Sequence, residues 1–514
     1  EDAPEEKYLG ATVLHAKKGA YFEGVSGLDF KSLYPSIMIA YNLCYSTMIL
    51  DEDIDYYRDK TDLEIETVKW EQDGEEQVYN YVQNIKGVVP NILDKLWKQR
   101  NRVKKQMKQA KSDGNNDLAA IYDAEQLAIK VSMNSVYGFT GASKGYLPKK
   151  PIASSVTSKG RELIQITKDF CERTYNCDVV YGDTDSCYVK FDVGLNPKET
   201  GYMQKIFEIS EAATVECNNK LYKAPVELEF EKVMMPFFLF TKKRYAYVQY
   251  TNPEKHDYLD AKGIHLVRRD NCEYVRTVSK KVLDTLFFDL DVQKAKDCAL
   301  EAIGDLLSNK CKVSDLKLSK TLKVGYKCSK CHTVETSCIC PQGPTVNLPH
   351  VQLAKRLKES AAADIPQPGE RVPFVFVEGV GLQHERVAHP EYMNGRRPDG
   401  LYYLEHQLRV PLETLFELVL PEGNTSVLFE NGPYGGLINA LKTSQKEREA
   451  NYKANKRLHK AQGFIEGQVV IKRVGTQEPR VGTVLKIIGD RLEIRFNDAP
   501  TKVSKIYPDN IEKQ

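Results

Sequence analysis

The pattern of apolar and polar positions centres on Val179-Val180-Tyr181-Gly182-Asp183-Thr184-Asp185-Ser186-Cys187-Tyr188-Val189. Two runs rich in Val and Tyr flank a Gly-Asp-Thr-Asp core, which predicts a β-hairpin turning at Gly182 to Asp185. Strands are also predicted at Thr12-Val13-Leu14, Ser26 to Phe30 and Phe237 to Phe240. Glu227-Leu228-Glu229-Phe230-Glu231 alternates like a strand with one wet face. Helical spacing appears from Ser36 to Ala40, from Asn91 to Lys111 behind Pro90, from Leu118 to Val136, and from Ser158 to Tyr175. The second and third of these flank a turn at Gly114-Asn115-Asn116 and predict a helical hairpin. Residues 265–436 are mostly helical in pattern, with heptad-like apolar spacing near Val282 to Phe288 and Ala299 to Leu307. Residues 437–466 are charged with almost no apolar stripe, so they read as a solvated helix or linker. Short alternating strands separated by Gly and Asp turns at 467–514 predict a small β-barrel of SH3-like type.

The central hairpin carries the first candidate chemistry. Asp183 and Asp185 lie one residue apart, and a divalent cation relieves the repulsion between two such carboxylates. Mg²⁺ takes one or two carboxylates and completes its shell with phosphate and water. Asp and Gly also favour turns for backbone reasons alone, so this motif leaves both readings open. Far upstream, Asp29 closes a short apolar strand ahead of Pro35. Lys130, Asn134 and Tyr137 fall at i, i+4 and i+7, one face of a helix. Eight Lys/Arg lie from Lys95 to Lys111 with no acid among them, a run that ordinarily faces solvent. The acids of Glu227 to Glu231 read as a solvated strand face. Asp62-Leu63-Glu64 imitates a nuclease carboxylate motif but sits in a charged surface stretch. Cys328, Cys331, Cys338 and Cys340 have the spacing C-x₂-C-x₆-C-x-C, four thiolates in a short loop, enough for one tetrahedral structural Zn²⁺. His332 could replace one of them, and a Cys-rich loop without metal is the alternative.

Four motifs then stand in chain order. Asp29-Phe30-Lys31-Ser32-Leu33-Tyr34-Pro35-Ser36 resembles motif A of the family B DNA polymerases. Lys130-Val131-Ser132-Met133-Asn134-Ser135-Val136-Tyr137-Gly138 resembles their motif B, and Tyr181-Gly182-Asp183-Thr184-Asp185-Ser186 their motif C. Thr241-Lys242-Lys243-Arg244-Tyr245 is similar to their K-K-R-Y motif. Gly10-Ala11-Thr12-Val13, Tyr41-Asn42-Leu43-Cys44-Tyr45, Gly138-Phe139-Thr140-Gly141-Ala142 and Lys262-Gly263-Ile264 are similar to the delta-like replicative branch. The likeness runs from about Gly10 to about Leu420.

The resemblance implies an α+β right-hand polymerase fold. A palm with an antiparallel sheet would occupy 1–86 (motif A) and 141–264 (motif C and K-K-R-Y). A fingers helical hairpin with motif B would occupy 87–140. A mostly helical thumb would occupy 265–436, with the Cys-rich insert at 326–345. The charged linker, 437–466, and the β domain, 467–514, lie beyond it. The implied activity is template-directed DNA synthesis by a DNA-directed DNA polymerase with two Mg²⁺ ions. Asp29, the Phe30 carbonyl and Asp185 would hold the metals, with Asp183 supporting catalysis. Ser32, Leu33, Tyr34, Arg100, Lys130, Asn134 and Tyr137 would bind the nucleotide, with Arg102 the neighbouring alternative to Arg100. Tyr34 would be the steric gate against ribose. Gly138, Lys242, Lys243, Arg244 and Tyr245 would bind DNA. Implied partners are primer-template DNA, deoxynucleoside triphosphates and a sliding-clamp processivity factor. The implied location is intracellular, in the nucleus or a viral replication compartment.

Composition changes this picture little. At 514 residues the chain is long enough for several domains, and 41% hydrophobic with 28% charged residues describes an ordinary globular protein. A net charge of +2 does not argue against nucleic acid, because binding depends on local basic stripes. Twelve cysteines, mostly scattered singly, suggest reduced thiols. No apolar run is long enough for a bilayer, so no membrane partner is expected. Glu1-Asp2-Ala3-Pro4-Glu5-Glu6 lacks Met and a signal pattern, which suggests a start inside a longer protein. With 28 residues ahead of Asp29, a proofreading exonuclease domain is not expected within this chain. The rivals are a non-catalytic DNA-binding paralogue and a polymerase–nuclease. The Cys-rich insert and C-terminal extension depart from the cellular delta-like pattern and suggest a large DNA virus.

Overall fold

The computed structural model describes residues 10–11, 13–59, 62–142, 147–264, 271–340, 344–360, 365–464, 468–472, 480–488, 490–499, 501–507, 509 and 511–513. Of the sequence expectations, those on Glu1 to Glu6, Thr12 and Gly467 lie outside the described residues. The chain divides into two compact units, 1–264 and 265–514. No helix among the described residues is long and apolar enough to cross a membrane.

The first unit begins with strands β1 (Gly19–Tyr21) and β2 (Val25–Phe30), helix α1 (Leu33–Ala40), strand β3 (Met48–Ile49) and helix α2 (Ile54–Arg58). There follow β4 (Ile65–Gln72), β5 (Glu75–Val82), α3 (Val88–Ser112), α4 (Asn116–Gly141) and α5 (Lys150–Thr174). The unit ends with β6 (Cys177–Asp183), β7 (Ser186–Phe191), α6 (Tyr202–Lys220), β8 (Leu228–Thr241), β9 (Arg244–Tyr250) and β10 (Leu259–Lys262). The main sheet runs β10-β9-β8-β2-β7-β6, with β1 added on β8. Its ladders are antiparallel.

Both faces of this sheet are covered, and β2 and β7 are buried along most of their length. One face sends Leu28, Phe30, Cys187, Val189 and Phe191 into a core shared with α5 and α6. The other face sends Val25, Val180, Tyr181, Tyr188, Phe237 and Tyr247 into a second, aromatic cluster. The carboxylates therefore sit at the end of a strand that packing holds from two sides. The helical pair α3–α4 packs on α1 through buried Leu93, Val103, Ile129 and Met133. Asn115 caps α4 by accepting from the Leu118 N–H at 3.1 Å, which satisfies one orphan donor at the turn. Four helices start earlier than the sequence suggested: α1 and α3 place Pro35 and Pro90 at their third residues, α4 begins at Asn116, and α5 begins at Lys150.

The second unit opens with α7 (Glu273–Asp284), which runs into a π turn at Thr285–Asp289, and α8 (Val292–Leu307). Next come β11 (Leu318–Thr321), α9 (Pro349–Glu359), β12 (Arg371–Phe376) and β13 (Val387–Ala388). Helices α10 (Gly400–Tyr403), α11 (Arg409–Phe416) and α12 (Gly435–Gln462) complete its helical part. The small sheet β11-β12-β13 interrupts a region that the sequence pattern had as mostly helical. Strands β14 (Val469–Lys472), β15 (Arg480–Ile488), β16 (Arg491–Phe496), β17 (Val503–Ile506) and β18 (Glu512–Lys513) form an antiparallel sheet ordered β17-β16-β15-β14-β18. The charged stretch before it is one continuous helix, α12. Its end supplies Ala461, and Phe464 just beyond, to the core of this sheet beside Val484, Ile494 and Phe496. The helix is thus part of the β domain's packing rather than a separate linker.

Candidate active site

Asp29 sits near the end of β2, the inner strand between β7 and β8. Its partners in register are Ser186 on β7 and Glu229 on β8. The Ser186 hydroxyl donates to Asp29 Oδ1 at 2.8 Å. The β6–β7 hairpin turns at Thr184 and Asp185, with Thr184 at φ 58°. The Phe30 N–H donates to the Asp185 carbonyl at 2.8 Å, so strand end and hairpin tip are tied by backbone. Gly182 sits in a tight spot here. A Cβ would lie 2.7 Å from the Leu14 side chain and 3.1 Å from the Ser186 carbonyl.

This arrangement brings two carboxyls into a poorly hydrated place. Burial pushes Asp29 up to about 7, and the Asp185 charge adds to the shift, while the Ser186 hydrogen bond opposes it. Asp185 is also raised, first by burial and then by Asp183, with its own backbone N–H and Lys130 pulling the other way. Asp183 is satisfied differently. Its Oδ1 accepts from Thr184 at 3.0 Å and pairs with Lys243 Nζ at 3.1 Å. It does not line the cleft described next.

The two raised carboxyls open onto a cleft of about 1040 Å³. Ser32, Leu33 and Tyr34 at the entry to α1 line it, as do Arg100 on α3 and Lys130, Asn134 and Tyr137 on α4. Ser32 takes a left-handed conformation, φ 47° and ψ 58°, to turn the chain from strand to helix. The Tyr34 and Tyr137 rings lie 4.3 Å apart, centroid to centroid. Arg100 Nη1 donates to Ser32 Oγ at 3.0 Å, and its Nε and Nη2 both reach Gln126 Oε1 at 3.3 Å. Arg102 is exposed and is not among the residues lining the cleft, so the geometry favours Arg100 over its neighbour.

Several functional features were missed in the sequence. Lys104, Lys105, Lys108 and Lys111 line the cleft, so much of the basic run on α3 borders the site, with Lys105, Lys108 and Lys111 still exposed to solvent. The signal was present: Arg100, Lys104, Lys108 and Lys111 recur at helical spacing. Glu227 and Glu229 also line the cleft, where Lys31 Nζ bridges them at 2.7 and 2.8 Å. Both glutamates are exposed, as the wet strand face expected from the sequence; the pairing with Lys31 is what the pattern did not announce. Burial pulls the Lys31 ammonium down, but the two glutamates hold it above the ordinary lysine range. Gln126 went unnoticed as well.

The K-K-R-Y segment lies away from the cleft lining. Lys242, Lys243 and Arg244 are exposed at the β8–β9 turn. Lys243 adopts φ 60°, and its N–H donates to the Tyr181 hydroxyl at 2.8 Å. Tyr245 packs among Tyr181, Tyr188, Phe237 and Tyr247. Its hydroxyl lies 3.1 Å from that of Tyr188, so its ring serves the fold of the hairpin. Gly138 is exposed on α4 with open space beside it. Asp62 is exposed, and its carbonyl serves Asn84. In the second unit, the Sγ atoms of Cys328, Cys331, Cys338 and Cys340 lie within 4.8 Å of one another, without His332 in the group.

Residues 1–419 match the sequence profile of DNA polymerase family B. The chain belongs to that family. It is 38% identical over 453 residues to a DNA polymerase of Paramecium bursaria Chlorella virus NY2A, covering 86% of this chain and 46% of that protein. It is 39% identical over 437 residues to a DNA polymerase delta catalytic subunit of Oryza sativa subsp. japonica, covering 82% and 37%. A Caenorhabditis elegans delta catalytic subunit is 38% identical over 441 residues, covering 83% and 37%. The chain thus spans less than half the length of these curated relatives. As a family B chain of delta-like type, it carries the four motifs in one unit, with Asp29 and Asp185 tied through strand and hairpin.

Proposed function

We propose that this chain performs template-directed DNA synthesis, adding deoxynucleotides to a primer 3′-hydroxyl with release of pyrophosphate. One observation carries the reading. Two half-buried, mutually repelling carboxylates face a wall of cations across a single cleft, as an anionic triphosphate held through divalent cations would need. Asp29 and Asp185, with the Phe30 carbonyl, are the donors for two Mg²⁺ ions. Burial and the repulsion between neighbouring carboxylates raise their affinity for protons, and hard oxygen donors suit this cation. Held by Asp29, Asp185 and the Phe30 carbonyl, such ions would supply Lewis acidity toward the primer hydroxyl and charge neutralisation for the pyrophosphate.

The chain's own residues do the positioning. Arg100 offers a planar fork to two phosphate oxygens, and Lys130 a point charge. Asn134 and Tyr137 complete that wall, and Lys104, Lys108 and Lys111 extend its field toward solvent. Ser186 keeps the Asp29 carboxylate turned into the cleft through its hydrogen bond. Lys31 offsets part of the charge of Glu227 and Glu229, which would otherwise repel a triphosphate more strongly at the cleft wall. Tyr34, packed at a tilt against Tyr137, lies under the sugar and excludes a 2′-hydroxyl. Lys242, Lys243, Arg244 and Gly138 contact the primer-template backbone, as copying any sequence requires.

In this reading the sheet of the first unit is the palm, α3 and α4 are the fingers, and the helices after residue 264 are the thumb. Primer-template DNA and deoxynucleoside triphosphates are the substrates, and a sliding clamp is the processivity partner. The activity belongs where DNA is replicated, in the nucleus or a viral replication compartment. Primer extension on a defined template with Mg²⁺ tests the reading. Extension should stop at the first template base whose complement is withheld. Absence of template-dependent extension, with duplex bound, would overturn it.

A further inference from the structure

We infer that Cys328, Cys331, Cys338 and Cys340 hold one structural Zn²⁺ ion, and that this ion is what organises the segment between β11 and α9. The donor geometry comes first. All four sulfurs lie within 4.8 Å of one another, with Cys328 to Cys340 at 3.9 Å and Cys331 to Cys338 at 3.6 Å. A tetrahedron with Zn–S bonds of about 2.3 Å has S···S edges of about 3.8 Å. A disulfide needs about 2.05 Å, so these pairs are at ligand spacing rather than bonding distance. An iron–sulfur cluster would put two or four irons between the thiolates and hold the sulfurs further apart.

The backbone around the first pair is built for a thiolate. The His332 N–H donates to the Cys328 carbonyl at 2.9 Å, which closes a tight turn with His332 at φ 60°. Beside that turn, the Thr345 N–H donates to the Cys328 sulfur at 3.4 Å. N–H donors to a metal-bound sulfur are the usual outer support of such sites. His332 contributes its backbone conformation and lies outside the group of ligand atoms.

The segment also needs the ion. Among the described residues from Lys323 to Asn347, Cys328 and Val346 are the buried ones. Val324, Val334 and Ile339 are exposed, so apolar burial supplies almost no cohesion. Such small coreless segments are held by disulfides or metal, and binding energy then becomes folding energy. The segment is also tied to its surroundings. The Tyr326 hydroxyl lies 3.0 Å from His350 Nε2 in the first turn of α9 and accepts from the Lys323 N–H at 2.8 Å. The ion therefore fixes the start of α9 through Tyr326. The site is far in sequence from the nucleotide cleft and does not depend on the proposed activity.

Elemental analysis of the chain purified without added metal should find about one zinc per chain. Chelation should release it, and hydrogen exchange should then rise at 326–346 and in the first turn of α9. Titrating the chelated chain with Co²⁺ should give the d–d absorption of a tetrahedral tetrathiolate, saturating at about one equivalent. Cys338→Ala should lose the metal. If that variant fails to fold, the Co²⁺ titration of the unsubstituted chain still decides. A zinc-free chain with reduced cysteines and no Co²⁺ spectrum would overturn the inference, and so would bound iron with a cluster spectrum.

Discussion

The cleft and the cysteine loop each gather several anionic ligands, but by opposite means. In the cleft, Asp29 and Asp185 are placed by a seven-stranded sheet covered on both faces, so their repulsion is imposed by packing that needs no metal. In the loop, four thiols meet on turns, and among the described residues around them only Val346 is buried, so the ligands themselves must supply the cohesion. A site built on a rigid scaffold can store unfavourable charge, ready for a cation that arrives with substrate. A site built on turns cannot, because the chain would relax away. Loss of metal should therefore leave the first region folded and inactive, and should loosen the second.

The sharpest way to break this comparison is to neutralise the stored charge. Asp29→Asn and Asp185→Asn should each reduce primer extension by more than about 10³-fold, because the charge that holds the cations is gone. Duplex binding should persist, and thermal stability without metal should stay level or rise, since one of two repelling groups is removed. A variant that extends primers at the parent rate would remove that carboxylate from the metal site. Lower stability in both would mean that the carboxylates hold the fold together rather than burden it.

The same stored charge gives a pH dependence of known sign. Asp29 is raised from 3.8 to about 7, so the folded state binds this proton more tightly than the unfolded chain. Its contribution to stability is complete below pH 3.8 and is lost as pH rises through about 7. Asp185 is shifted in the same direction. For the metal-free chain, melting temperature should fall across that window relative to Asp29→Asn, and added Mg²⁺ should restore more at pH 8 than at pH 5. Parallel melting curves for the two proteins across the window would contradict the assignment.

What could be read from the sequence follows from this contrast. Asp29, Lys130, Asn134 and Asp185 lie in short contiguous motifs, where local spacing predicts turn, helix face and chemistry together. The cysteine ligands are legible for the same reason. Long-range pairs were not. Lys31 meets Glu227 and Glu229 across the β2–β8 ladder, and Arg100 meets Gln126 across the helical hairpin; no local pattern announces either partnership. The α3 lysines looked solvated because charge runs usually are, and only the cleft shows which face they share. Strand β11 is four residues long, too short for its period to stand out within a helical region. The charged helix α12 hid its role because one buried residue, Ala461, and Phe464 past its end do the packing.

Smaller effects sharpen the picture of the cleft. Under the gate reading, Tyr34→Ala should change the choice of sugar by about 10- to 100-fold in the ratio of kcat/KM for dCTP to that for CTP opposite a template G. If Tyr34 only packs against Tyr137, both nucleotides should suffer alike and the ratio should hold. At the β8–β9 turn, Lys243→Ala and Arg244→Ala should weaken duplex binding equally for all sequences. Each should reduce the slope of log K against log salt by about 0.9. An unchanged slope would assign these residues to the Asp183 ion pair or to solvent.

The smallest expected effect concerns Gln126, and it tests whether pre-organisation extends beyond the carboxylates. Arg100 is half-buried, and burial lowers its pKa, so its fork needs partners even without substrate. Gln126 Oε1 takes two of its N–H groups at 3.3 Å, while the Gln126 amide nitrogen donates to Asp123 at 3.0 Å on the same helix. The glutamine is therefore anchored on α4 and steers a guanidinium rooted on α3. It makes no claim on the substrate, so its loss should act through Arg100 alone. A neutral hydrogen bond is worth about 0.5–1.5 kcal/mol, which corresponds to about 2- to 12-fold. Gln126→Ala should raise KM for the nucleotide by about that factor with little change in kcat, and Gln126→Glu, which keeps the acceptor, should recover most of it. In the double variant with Arg100→Ala the Gln126 effect should vanish, because the group it orients is absent. A Gln126→Ala effect that persists without Arg100, or that falls on kcat, would show that the glutamine supports the helical hairpin as a whole.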